Sequence, residues 1–363
     1  MADKQEEKLN VLPWLASGAL IVAVAALAFA VVARGRSGDQ GSGTEPGSTM
    51  SAMSGEDMAH MAPLPMKGIG AAASSTGGTE LHGVERDGAL EFKLDARPVR
   101  WPILAGQELD AYAYDGIVPG PTIRVKNAQR VRIRFTNDLP VDTTVHWHGI
   151  GVPNSMDGVP GVTQKAIPPG GEYTYEFTAR PAGEPNGGGT FLYHSHVDED
   201  RQMAAGLYGA FIIEPPGPQP EYQTESTLVL SEWTADAASG RTRGVMDMEG
   251  MLPNFFTING KSYPATETIH VKAGAPVLLR LINAGQLTHP MHLHGTAFRV
   301  VAEDGHPVPD SGLRDTISLA SGERADVVFR LPPGRWILHC HIGHHMTNDG
   351  ESPGGLMEVI EAS

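Results

Sequence analysis

Cysteine is almost missing from this chain: Cys340 is the only one among 363 residues. A single thiol cannot close an intrachain disulfide, so stability has to come from apolar cores or from assembly, and the thiol is retained for its chemistry. Basic residues are also scarce. Against 42 Asp and Glu there are 27 Lys and Arg, a formal net charge of -15. That balance excludes the proteins that hold nucleic acid by meeting its phosphates with Lys and Arg, and it describes an acidic exterior. Long apolar runs are few. One covers residues 11–32, interrupted only by Pro13, Ser17 and Gly18, which is about the length that crosses a bilayer as a helix and too long for an ordinary signal-peptide core. Ala28 and Ala30 offer an A-x-A cleavage signal inside the run, so an uncleaved anchor at 11–33 after a short tail at 1–10 is expected. Lys4 and Lys8 before the run balance Arg34 and Arg36 after it, so charge does not fix the orientation.

Turn-forming residues are abundant, with 44 Gly and 28 Pro, and they favour β architecture. Residues 34–84, rich in Gly, Ser and Met with little periodicity, read as a flexible linker. From there the pattern changes to short strands between turn signals. Residues 130–135 alternate charged and apolar side chains, residues 173–177 do the same after the Pro168-Pro169-Gly170 turn, and residues 277–282 read as a buried strand. Two blocks, 85–217 and 224–363, look like repeats of one domain.

The histidines make the repeat visible. The first block carries His146-Trp147-His148-Gly149 and His194-Ser195-His196; the second carries His292-Leu293-His294-Gly295 and His339-Cys340-His341. Neighbouring side chains on a strand point to opposite faces, so each H-x-H pair puts two imidazoles on one face. Four such strands would converge eight imidazoles on a cavity. His339 and His341 share one face while Cys340 takes the other, so one strand serves two sites. A soft thiolate beside an imidazole suits copper. The chain could also collect copper through its thioethers, at Met50, Met53, Met58, Met61 and Met66 of the linker and at Met246, Met248 and Met251.

With these four motifs in place, residues 86–363 resemble a multicopper oxidase of the two-domain laccase-like type. The resemblance implies an all-β fold of two cupredoxin-like Greek-key barrels, here preceded by a transmembrane helix and linker, and four copper ions per chain. By the family pattern His289, Cys340 and His345 would hold type 1 copper, and His146 with His292 type 2. His148, His194, His196, His294, His339 and His341 would hold the binuclear type 3 pair. Aligning His146 with His292 sets Thr143 opposite His289, and aligning Ser195 with Cys340 sets Asp200 opposite His345. The first block therefore lacks a type 1 site, unlike the copper nitrite reductases.

The axial type 1 position departs from the family, because Gly350 stands ten residues past the cysteine. Met357 is the expected thioether, with Met346 or no sulfur ligand as alternatives. Asp157 falls where members carry an acid near type 2 copper, and it is expected to pass protons to oxygen. Electrons from the substrate are expected at an exposed edge of His289 or His345, moving through Cys340 to His339 and His341. Two-domain relatives resemble one another in building the trinuclear cluster between subunits, which implies a homotrimer. Phenols and aromatic amines with O2 are the expected substrates, and Cu(I) is the alternative. A copper-binding electron carrier without oxygen chemistry is the reading from another class. The expected location is a membrane-anchored protein with its barrels outside the cytoplasm, or a secreted one if the anchor is cleaved.

Overall fold

Sixteen residues of alternating burial form β1 (Ala89–Leu104), which turns back into β2 (Gln107–Tyr114); β3 (Gly120–Lys126) and β4 (Arg130–Asn137) follow. In β4 the buried Val131, Ile133 and Phe135 alternate with Arg130, Arg132 and Arg134, as the sequence pattern requires. β5 (His146–His148), β6 (Glu172–Thr178), β7 (Gly189–His194), the short helix α1 (Glu199–Ala204) and β8 (Tyr208–Glu214) complete the first barrel. The structure, a computed structural model, describes residues 64–236, 238–243 and 253–363. The expected tail and membrane anchor, most of the linker, and Met246, Met248 and Met251 lie outside those residues. No helix among the described residues is long and apolar enough to cross a membrane.

One sheet of the first barrel sets β1 between β2 and β4, with β6 on the far side of β4; the other orders β3, β8, β7 and β5. The second barrel repeats the plan. Its larger sheet holds β9 (Thr224–Asp236), β10 (Phe255–Ile258), β11 (Val277–Asn283), β13 (Phe298–Glu303) and β15 (Arg324–Phe329). Its smaller sheet holds β12 (His289–Leu293), β14 (Thr316–Leu319), β16 (Gly334–Cys340) and β17 (Met357–Ala362). Each barrel has its own apolar core. A third core, including Trp101, Leu109, Tyr208, Trp233 and Ile282, joins them.

The C-terminal part of the expected linker is not a free tether. Gly70–Ala71 pairs with β1 and Glu80–Leu81 with β3. Leu64 is buried in the first core, and the Tyr112 hydroxyl donates to the Pro65 carbonyl at 2.6 Å. Sheet edges offer unpaired backbone groups that even a two-residue strand can use, and segments that short leave no period in a sequence.

Candidate metal centre

Antiparallel pairing of β12 with β16 sets Met291 opposite Cys340 and His292 opposite His339. Cys340 therefore turns into the barrel while its neighbours His339 and His341 face out. A 3-10 turn after β16, Gly343–Met346, brings His345 back beside the thiol. His345 Nδ1 lies 3.4 Å from Cys340 Sγ and 3.1 Å from His289 Nδ1. The three residues are 0–2% exposed, and the three donor atoms lie within 4.8 Å of one another. Burial pushes the Cys340 thiol up to about 11 and the His345 imidazole down to about 3, with His289 and His344 adding to the latter. Two imidazoles, that of His345 held neutral by burial, facing a thiol that ionises only for a cation make a soft metal site.

The eight histidines of the H-x-H motifs gather as two quartets. In the first, the ring of His146 lies 5.2–5.8 Å from those of His148, His194 and His196. In the second, the ring of His292 lies 4.9–5.6 Å from those of His294, His339 and His341. The quartets match in detail. Nδ1 of His146 bonds the Asp157 carbonyl at 2.7 Å, and Nδ1 of His292 bonds the Asp315 carbonyl at 2.9 Å. Nδ1 of His194 bonds the Ser195 carbonyl at 2.8 Å, and Nδ1 of His339 bonds the Cys340 carbonyl at 2.9 Å. A nitrogen bonded to a carbonyl carries the proton, so each of these four rings presents a bare Nε2. Nε2 of His339 points at Nε2 of His294 from 3.0 Å, and Nε2 of His194 at Nδ1 of His148 from 3.4 Å. Burial holds His194 at about 3 and His148 at about 4, and it lowers His339 as well. Neutral rings with converging lone pairs fit a shared cation. Among the described residues, no hydrogen bond or ring contact links one quartet to the other.

Two models described as multicopper oxidase match the chain, one at residues 95–218 and one at 238–350. The chain belongs to the multicopper oxidases. It is 30% identical over 260 residues to Laccase-2 of Cryptococcus neoformans var. grubii, covering 63% of this chain and 42% of that protein. It is 37% identical over 165 residues to Copper resistance protein A of Pseudomonas syringae pv. tomato, covering 45% of this chain and 25% of the relative. The chain thus spans less than half the length of these curated relatives. The crystal structure of a blue copper oxidase from Nitrosomonas europaea superposes with a TM-score of 0.69 at 35% identity, covering 75% of this chain and 85% of that one. As a multicopper oxidase the chain takes copper as its cofactor. His289, Cys340 and His345 fit a type 1 ion, and the quartets fit a trinuclear set.

Within this multicopper oxidase the missing type 1 site of the first barrel has a physical replacement. Thr143 Oγ1 lies 3.1 Å from Ser195 Oγ, and both hydroxyls donate to Gln202 Oε1, at 2.8 and 2.6 Å, in a buried trio. Counting residues had paired His345 with Asp200. Helix α1, which has no equal in the second barrel's 3-10 turn, puts Gln202 there instead.

Met357 is a correction. It pairs with His339 across β16 and β17, so its side chain leaves on the face of His339, opposite Cys340. Leu356, fully buried in the same core as Cys340, is the apolar neighbour on the thiol's side. The exposed edge of His289 or His345 is a second correction, since both rings are buried. His344 is exposed, with its ring 4.3 Å from that of His345. Asp157 Oδ1 lies 3.5 Å from His146 Nδ1. Its counterpart Asp315, 3.9 Å from His292 Nδ1, was missed, because the repeat offset carries Asp157 onto Glu303 and not onto Asp315. Glu199, within 3.5–3.7 Å of His194 and His196, was missed too.

Proposed function

We propose that this chain is a laccase-like oxidase that draws single electrons from phenols or aromatic amines and delivers four of them to one O2, forming two waters with four protons. The observation that carries this reading is the buried site of His289, Cys340 and His345, whose Cys340 stands between His339 and His341 of a histidine quartet. Copper, when bound, supplies the one-electron redox chemistry and the site for O2. Cys340 connects to both neighbours through covalent bonds alone. His344, at the surface against His345, receives the substrate. Asp157 and Asp315 stand beside His146 and His292, where protons are needed. Six of the eight quartet rings are half-buried or exposed, all but His194 and His339, so we propose that the first quartet of one copy meets the second quartet of the next in a homotrimer. We also propose that residues 11–33 anchor the assembly in the membrane with the barrels outside the cytoplasm.

A cuprous oxidase is the second reading. Copper resistance protein A is among the relatives, and Met246, Met248 and Met251 precede residues that reach the type 1 site. Asn254 donates from Nδ2 to Asp349 at 2.8 Å, and Phe255 bridges to Asn348, three residues past His345. Copper per chain, electron paramagnetic resonance and oxygen uptake on the copper-loaded chain test both readings. Four coppers with phenol-driven uptake support the first. Uptake driven by Cu(I) alone, lost on deleting 246–251, supports the second. One copper per chain makes the protein an electron carrier and overturns both.

A further inference from the structure

We propose that Glu232 is a positioning residue of the type 1 centre, holding the His289 tautomer that turns Nδ1 toward copper and lowering the potential of the site. The inference rests on the copper-site reading above. It starts from a contrast between anchors. His146, His194, His292 and His339 are each tied through Nδ1 to a neutral backbone carbonyl. His289 is tied the other way round, through Nε2 to the Glu232 carboxylate, 3.2 Å from Oε2, with the two side chains 0% and 1% exposed.

The carboxylate is held in a donor-rich cradle. Its Oε1 accepts from the Gln286 amide and, at 2.9 Å, from the Leu287 amide. Backbone N–H groups only donate, so Oε1 is an acceptor toward both amides, and with Oε2 accepting as well the carboxylate takes the Nε2–H of the imidazole. The Nδ1 lone pair is then left free for metal, facing His345 Nδ1. Gly285 makes the approach feasible, because a Cβ at that position would overlap Glu232 Oε2. Register adds the second half of the device. Glu232 on β9 pairs with Phe256 on β10, and the Phe256 ring stacks on His345 with centroids 4.3 Å apart and an interplanar angle of 21°. One cross-strand pair therefore steadies both imidazoles of the site.

Charge gives the functional consequence. A buried carboxylate acts at lower effective dielectric than one in water, and it favours the more highly charged, oxidised copper over the reduced one. The acids near the carbonyl-anchored histidines, Asp157, Asp315 and Glu199, stand farther off at 3.5–3.9 Å and are half-buried or exposed, where solvent screens them, whereas Glu232 is buried.

The test uses the full chain loaded with copper. Glu232→Gln keeps the size and removes the charge. With the blue absorption and circular dichroism retained, the equilibrium with a one-electron mediator shifts toward the reduced form by about tenfold or more, which is about 59 mV for one electron. Gly285→Ala, which displaces the carboxylate, shifts it the same way. An unchanged potential in an intact blue Glu232→Gln protein overturns the proposal. If that variant fails to fold, nitrogen-15 NMR of His289 in the metal-free wild-type chain decides: a protonated Nε2 with bare Nδ1 supports the proposal, and a protonated Nδ1 overturns it. Lack of a blue band in the wild type removes the type 1 reading itself, a result distinct from an unmoved potential.

Discussion

Cys340 carries two duties on one residue: its sulfur closes the buried triangle, and its main chain joins the two histidines of the outer quartet. Ser in its place keeps the backbone and loses the soft, polarizable ligand. Cys340→Ser is expected to lack the blue absorption and to lower turnover by more than the roughly 10–100-fold that removing an outer partner of a ligand costs. Steady-state oxygen uptake and the visible spectrum check this. His344 makes a different claim at the same scale. With His345 only 2% exposed, the surface imidazole beside it is where an electron donor can dock. His344→Ala should slow anaerobic reduction by a phenol several-fold, read by stopped flow, with copper content and absorption unchanged. An unaltered reduction rate would remove His344 from the path.

At the scale of the element, β17 shows how a strand can carry one polar residue on its core side. Glu358 lies on the face of Leu356 and Ile360 and is 2% exposed, with Oε1 lacking a partner among the described residues. It borders a cavity of about 340 Å³ that Glu267 and His270 also line. Burial raises its carboxyl to about 8, with Glu267 adding to the effect. Below the unfolded value near 4.5 the group is protonated in both states and stability does not depend on it. Between 4.5 and 8 the unfolded chain gives up the proton that the folded chain keeps, so stability falls as pH rises, by about 1 kcal/mol per unit at the steepest; above 8 the loss is complete. The lowered His194 and His345 act with the opposite sign, and only below about 6.5. Glu358→Gln is therefore expected to be more stable than wild type at pH 8 by a margin that shrinks toward pH 5, measured as urea midpoints. Equal midpoints across that range would mean that the cavity keeps the carboxylate solvated.

For the whole molecule the fused barrels decide where chemistry can occur. The shared core of Trp101, Tyr208 and Trp233 locks the barrels together, and it leaves the two quartets without a mutual contact among the described residues. If neighbouring copies complete each cluster, a chain with His146→Ala and His148→Ala and a chain with His292→Ala and His294→Ala are each inactive. Co-assembled in equal amounts, they should regain about a quarter of wild-type oxygen uptake, because a head-to-tail ring pairs intact quartets in one interface of four. No recovery from a mixed assembly would mean that each chain closes its own cluster.

The residue types of the site were legible in the sequence because spacing on a strand is a local property. H-x-H puts two imidazoles on one face wherever the strand lies, and an offset of 146 residues links His146 to His292 and Thr143 to His289. The same reasoning gave β4, β6 and β11, whose burial follows from period-two alternation or from an apolar run broken only by Arg280. What depended on register between distant strands was not legible. Met357 and Leu356 differ by one position, and a shift of one residue exchanges the two faces of a strand; only the pairing of Met357 with His339 decided which faces Cys340. Gln202 entered the buried trio through a helix that counting could not foresee. Glu232 meets His289 from 57 residues away, because β9, β10 and the loop before β12 fold onto one another. The sequence by itself determined which atoms can ligate copper, since that follows from side-chain chemistry and local period. Tertiary structure alone decided which nitrogen each ring presents and which charge stands behind it, since both depend on groups that the fold brings from elsewhere in the chain.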